Sequence, residues 1–162
     1  AGGLHPPGKL TAVVVPNPTR GYAAAGRAAL QQRIQTVEQE GLEAVAEGTM
    51  ARFFSEAFRA SQTAAVQRHQ RLLLATDPEG YTACAAALGE ADMTARLGQI
   101  RVPTLLLAGG EDTSTPPAGM QAMAAAMPHA ECVTLPGCAH LSAVEQPWAF
   151  TDLVQAFIDQ QG

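Results

Sequence analysis

Two loops carry the residue types and spacing that hydrolytic chemistry needs. Asp112 follows the apolar run Val102-Pro103-Thr104-Leu105-Leu106-Leu107-Ala108 with its closing Gly109-Gly110, and His140 follows Glu131-Cys132-Val133-Thr134-Leu135 with its Pro136-Gly137 break. A carboxylate against an imidazole fixes which ring nitrogen carries the proton and stabilises the imidazolium formed when the ring accepts another. Such a pair activates a hydroxyl or a water for attack on an acyl carbon. Singly, each residue has a plainer reading: an Asp after a strand serves as a turn or capping residue, and the His of Gly137-Cys138-Ala139-His140 as an ordinary loop residue. Topology lifts the pair above those readings.

Both apolar runs have the length and bulk of buried strands. Between them Pro116-Pro117 opens a helix with Met120, Met123 and Met127 on one face, and Pro128 stops it. After the second run, a helix from Pro147 shows Phe150, Leu153, Val154, Phe157 and Ile158, the i, i+3, i+4, i+7, i+8 stripe of a helix packed on a sheet. A strand–helix–strand crossover is right-handed, so the strands are parallel and end at one sheet edge. The separation of 28 residues (140 − 112) therefore closes into one crevice, where open α/β sheets place their sites.

Upstream, Lys9 to Val15 reads as a strand covered on both faces. From about Gly21 to Ala91 the pattern is helical. Leu30, Ile34 and Val37 recur at helical spacing and Gly41 ends that stretch; Leu42 to Phe54 and Thr63 to Ala75 come next; Asp77 caps and Pro78 opens a fourth segment. Helices inserted between strands suggest a cap over a pocket. The expected fold is α/β, with residues 1–20 and 92–162 as sheet core and 21–91 as helical cap.

Composition narrows the function classes. With 162 residues, 47% hydrophobic and 15% charged, the chain is about one domain's worth and is not a disordered one. No apolar run reaches the roughly 20 residues that cross a bilayer, so no membrane role is expected. Fifteen acidic against ten basic residues, the latter scattered, exclude a phosphate-neutralising stripe and with it nucleic acid. Cys84, Cys132 and Cys138 lack metal-ligand spacing, read as buried small residues and fit a reducing cytoplasm. The opening Ala1-Gly2-Gly3 is neither an initiator methionine nor a signal peptide, and suggests an internal cut.

The two loops also resemble a known family. Ala108-Gly109-Gly110-Glu111-Asp112-Thr113-Ser114-Thr115-Pro116-Pro117 is similar to the acid loop of α/β-hydrolases, and Gly137 to Pro147 to their histidine loop, including Glu145-Gln146-Pro147. Within that superfamily, Leu74-Ala75-Thr76-Asp77-Pro78-Glu79-Gly80-Tyr81 resembles the cap of 3-oxoadipate enol-lactonases, which open a lactone in aromatic catabolism. The likeness runs from about Leu10 to Ile158. It implies Asp112 and His140 as catalytic acid and base, a small ester or lactone as substrate, and neither a metal nor an organic cofactor.

One departure stands against the match. The family's serine sits in a G-x-S-x-G turn, and none of Ser55, Ser61, Ser114 and Ser142 has glycines two residues before and after it. Serine precedes acid and histidine in this superfamily, so the expectation is a carboxy-terminal part, inactive alone, whose nucleophile and oxyanion hole lie on a missing amino-terminal segment. Ala1-Gly2-Gly3-Leu4-His5-Pro6 is similar to the stretch after the family's elbow, near the end of the helix it begins. Two rivals stay open. One is a non-catalytic assembly module whose exposed sheet edge pairs with another chain or with a copy, making a homo-oligomer. The other is thioester, epoxide or haloalkane chemistry set by a different upstream nucleophile.

The remaining candidates are secondary. Arg52 suits the carboxylate of an anionic lactone, set against an ordinary solvated helix face. Phe53 and Trp148, like Met50 and Phe54, suit either a pocket wall or the core. His5, His69 and His129 read as solvated.

Overall fold

The computed structural model describes residues 10–161; the expectations for Ala1 to Pro6, His5 included, and for Lys9 lie outside them. The chain divides into two compact units, one formed by the segment up to Thr19 with Thr94 onward, the other by Arg20–Met93.

The first unit holds β1 (Val13–Pro16), β2 (Thr104–Gly109) and β3 (Ala130–Leu135) in a parallel sheet of order β1-β2-β3. The register pairs Val15 with Leu106 and Leu106 with Cys132. Every residue of the central β2 is buried, as a strand with neighbours on both sides and helices on both faces must be. Its side chains alternate between two cores. Leu106 packs with Leu97, Met123, Ala124 and Met127, the face of α6 (Pro117–Ala125) and the turn after it. Leu105 and Leu107 pack with Phe157, Phe150, Leu153 and Val154 of α8 (Pro147–Asp159) on the other face. A 3-10 turn, Thr94–Gln99, contributes Leu97. A short α7, Ser142–Glu145, lies between β3 and α8.

Three sequence expectations need correction here. Val13, Val14 and Val15 are only half-buried rather than covered on both faces, because β1 is an edge strand among the described residues and has a neighbour on one side. Trp148 is not a core residue: it is 83% exposed, since two residues before Phe150 place it roughly 200° around the helix, on the side away from the sheet. Ile158 is half exposed at the margin of the same stripe.

The second unit is helical: α1 (Ala24–Glu40), α2 (Glu43–Phe53), α3 (Glu56–Ser61), α4 (Thr63–Leu74) and α5 (Pro78–Glu90). Gly41 ends α1 at φ +82°, with its N–H on Val37 O, a conformation open to glycine. Asp77 caps α5 by accepting the Gly80 N–H at 2.7 Å, and Pro78 begins it. The brief α3, not anticipated from the sequence, is capped by Ser55, which accepts from Phe58 N at 3.2 Å. Leu30, Ile34 and Ala85 join α1 to α5. Met50 and Phe54 are buried. The Phe54 ring stacks on Phe58 and meets His69 edge-on, both at 5.2 Å between centroids, so His69 is a packed residue and not a solvated one. Cys84 is exposed on α5, whereas Cys138 is buried; all three cysteines are free thiols. Among the described residues no helix is long and apolar enough to cross a membrane.

Candidate active site

Parallel strands deliver their carboxyl ends to one edge, and three loops meet there. Asn17 follows β1, Asp112 follows β2 and His140 follows β3. The backbone beneath them is tightly joined: Gly110 N donates to Leu135 O at 2.7 Å and Glu111 N to Cys138 O at 2.9 Å. A Cβ on Gly109 would sit 2.0 Å from Ala139 O, so the acid and histidine loops approach as closely as they do because residue 109 has no side chain. Gly137, at φ +67°, turns the chain out of β3. Glu145 holds the far side of that turn by accepting the Ala139 N–H at 2.7 Å, and Gln146 donates to Pro136 O at 2.6 Å.

Asp112 is buried and Nδ1 of His140 lies 2.8 Å from its Oδ2. A carboxylate only accepts, so Nδ1–H donates, which in the neutral form of the ring leaves the lone pair on Nε2. The two residues separated by 28 positions are therefore a hydrogen-bonded pair. Asp112 Oδ1 accepts the backbone N–H groups of Ser114 at 2.7 Å and Thr115 at 3.0 Å. Oδ2 accepts, besides His140, the Thr115 hydroxyl at 2.7 Å and Asn17 Nδ2 at 2.8 Å. Burial alone would raise the Asp112 carboxyl; hydrogen bonds from His140, Thr115 and Asn17 outweigh it and hold the group down at about 2. It is ionised at neutral pH and can orient the imidazole and balance an imidazolium.

Two other nucleophilic groups nearby, Cys138 and Ser142, are quiet. Burial, with Glu145 close by, pushes the Cys138 thiol up to about 11, so it carries no thiolate to attack with. The Ser142 hydroxyl is buried and donates to Asn17 Oδ1 at 3.1 Å. Ser114 contributes its backbone N–H to Asp112. Ser55 and Ser61 serve helices of the other unit.

A family model described as the alpha/beta hydrolase family matches residues 3–151. The chain belongs to the α/β-hydrolase family. Within that family, 3-oxoadipate enol-lactonase 2 of Acinetobacter baylyi is 34% identical over 154 residues, 94% of this chain and 56% of the relative. A hydrolase from Pseudomonas aeruginosa superposes with a TM-score of 0.87 at 33% identity, over 96% of this chain and 58% of that one. The enol-lactonase from Burkholderia xenovorans LB400 gives 0.88 at 25% identity, over 93% and 57%. This α/β-hydrolase chain thus spans about half the length of the curated relatives it matches.

The remaining candidates lie elsewhere in the two units. Arg52 and Phe53 are half-buried on α2, where Arg52 Nη2 donates to Thr49 Oγ1 at 2.9 Å. Burial, with Arg33 adding its charge, lowers the Arg52 guanidinium from its usual value. Trp148 stands exposed at the start of α8. Among the described residues no group of three or more His, Cys, Asp and Glu is placed to hold a metal ion. Sequence reasoning missed Asn17, Thr115 and Ser142. Thr115 was within reach, because an Asp with hydroxyl residues two and three positions on is a local side-chain turn pattern. Asn17 lay in Pro16-Asn17-Pro18, which reads as strand punctuation until β1 is known to end at the same edge.

Proposed function

We propose that this chain supplies the acid and the histidine of a serine-hydrolase triad acting on a carboxylic ester or lactone, with Asp112 orienting His140. The observation carrying the proposal is the 2.8 Å contact between His140 Nδ1 and the ionised, buried Asp112. In the proposed reaction Nε2 of His140 removes the proton from a serine hydroxyl as its oxygen attacks the acyl carbon, then returns it to the leaving oxygen. Water, activated by the same nitrogen, releases the acyl group. The serine and its oxyanion-binding backbone belong, on this reading, to an amino-terminal hydrolase segment; the match covers 56% of the 3-oxoadipate enol-lactonase relative, which leaves that protein room for one. The helical unit would act as the cap.

For the substrate class, the enol-lactonase resemblance favours an anionic enol-lactone such as that of 3-oxoadipate, met in aromatic catabolism. The test is hydrolysis of 3-oxoadipate enol-lactone and of a neutral phenyl ester by the natural polypeptide containing this chain. His140→Ala should lower kcat by three orders of magnitude or more with both substrates, about the scale of losing a triad member. An unchanged rate in that variant would overturn the assignment.

A further inference from the structure

We infer that Asn17 is a positioning residue for the hydrolytic pair: its side-chain amide, anchored by Ser142, pins Asp112 in the rotamer that faces His140. The inference rests on the proposed roles of Asp112 and His140. Three observations at Asn17 support it. Its backbone has φ +48°, the one positive value at a non-glycine among the described residues, and such conformations persist where the surroundings over-determine them, often at functional sites. Asn17 N–H donates to Leu107 O at 2.7 Å, which extends the β1–β2 ladder by one residue and fixes where the side chain starts. The side chain is buried, 95 positions in sequence from the carboxylate that it meets.

The amide's orientation is itself determined. An Asn side chain has one accepting and one donating end, and a flipped amide would present oxygen to the Asp112 carboxylate. The carboxylate, which only accepts, disfavours that flip and takes Nδ2 as its donor at 2.8 Å; the Ser142 hydroxyl completes the arrangement by donating to Asn17 Oδ1 at 3.1 Å. Ser142 opens α7, two residues after His140. The relay Ser142–Asn17–Asp112–His140 therefore begins and ends on the histidine loop and passes through all three strand ends. Thr115 supports the same oxygen from the acid loop, but only Asn17 reaches it from β1. Rotation of Asp112 about its Cα–Cβ bond would break the Asn17 and His140 contacts together.

The variant that isolates the amide is Asn17→Gly, because glycine keeps a left-handed φ without strain and removes only the side chain. The readout is the downfield proton resonance of the His140 Nδ1–H in the folded 162-residue chain, followed to low pH, which needs no substrate and no nucleophile. In Asn17→Gly this resonance should move upfield, and the pH at which it disappears on acidification should rise by about one unit. Ser142→Ala, which removes the second anchor of the amide, should shift it in the same direction by less. An Asn17→Gly chain whose resonance and acid midpoint match the wild type overturns the proposal and leaves Asn17 a backbone turn. If His140→Ala keeps hydrolytic activity in the natural polypeptide, the triad reading fails, while the resonance still judges the positioning role.

Discussion

At the scale of single residues, Asp112 is a buried carboxylate that stays charged because its two oxygens receive five donors: Ser114 N, Thr115 N, Thr115 Oγ1, Asn17 Nδ2 and His140 Nδ1. The cost of desolvation is offset by those bonds, and the carboxyl falls from 3.8 to about 2. The consequence for stability has a definite sign. A group that binds its proton less readily in the native state than in the unfolded one stabilises the fold above the unfolded pKa and ceases to as pH falls through the folded one. Asp112 should therefore contribute about 2 kcal/mol at neutral pH, with most of it lost between about pH 4 and pH 2. Urea denaturation of the wild type and of Asp112→Asn across that range checks this. The stability gap between the two should narrow on acidification; a gap independent of pH would mean that the native carboxyl is not held low.

At the scale of elements, the site depends on how closely two loops can approach. Gly109 closes β2 with its α-carbon against the Ala139 carbonyl, where an added Cβ would meet backbone atoms at 2.0 Å and 2.7 Å. Neither partner can swing aside as a side-chain tip would. Gly109→Ala should cost at least about 3 kcal/mol, measured as a shift in the urea midpoint, and should separate His140 from Asp112. A midpoint within about 0.5 kcal/mol of wild type, the range of an inconsequential surface change, would show that the loops are not tightly apposed. The elements themselves are largely legible in the sequence. β2 and β3, the methionine face of α6 and the Phe150–Phe157 stripe of α8 announce themselves by apolar period and by proline and glycine punctuation. Parallel pairing comes from the crossover rule, and it accounts for the meeting of Asp112 and His140. The features that stayed hidden depend on position around an axis or within a sheet. Trp148 has core chemistry but sits on the outward side of α8. The valines of β1 have buried-strand chemistry but an edge-strand place. Asn17 carries no hydrolytic signature at all, and its part emerges only when β1 is set beside β2.

At the scale of the whole molecule, the proposed reading takes Asp112 and His140 as acid and base, and the question becomes where the attacking atom comes from. Most of the serine and cysteine candidates near the site or on the helices are engaged in other ways. Ser142 is buried under Asn17, Ser55 caps α3, Ser61 donates to Ala57 O, and Cys138 is held as a thiol. Ser114 lies two residues from Asp112, in the turn whose backbone N–H holds the carboxylate. None lies between glycines in the sharp strand-to-helix turn that exposes a family nucleophile. On the proposed reading, then, a fluorophosphonate probe, which reacts with an activated serine, should leave the folded 162-residue chain unlabelled. A natural polypeptide that also carries the nucleophile turn should be labelled at that serine, and His140→Ala should slow the labelling by orders of magnitude, since the serine is a weak nucleophile without its base. Stoichiometric labelling of the 162-residue chain at any of its own four serines, read by intact mass and peptide mapping, would place the nucleophile within this chain and defeat the two-segment reading. Labelling of the longer polypeptide that is indifferent to His140 would instead leave the nucleophile upstream and remove the histidine from its activation.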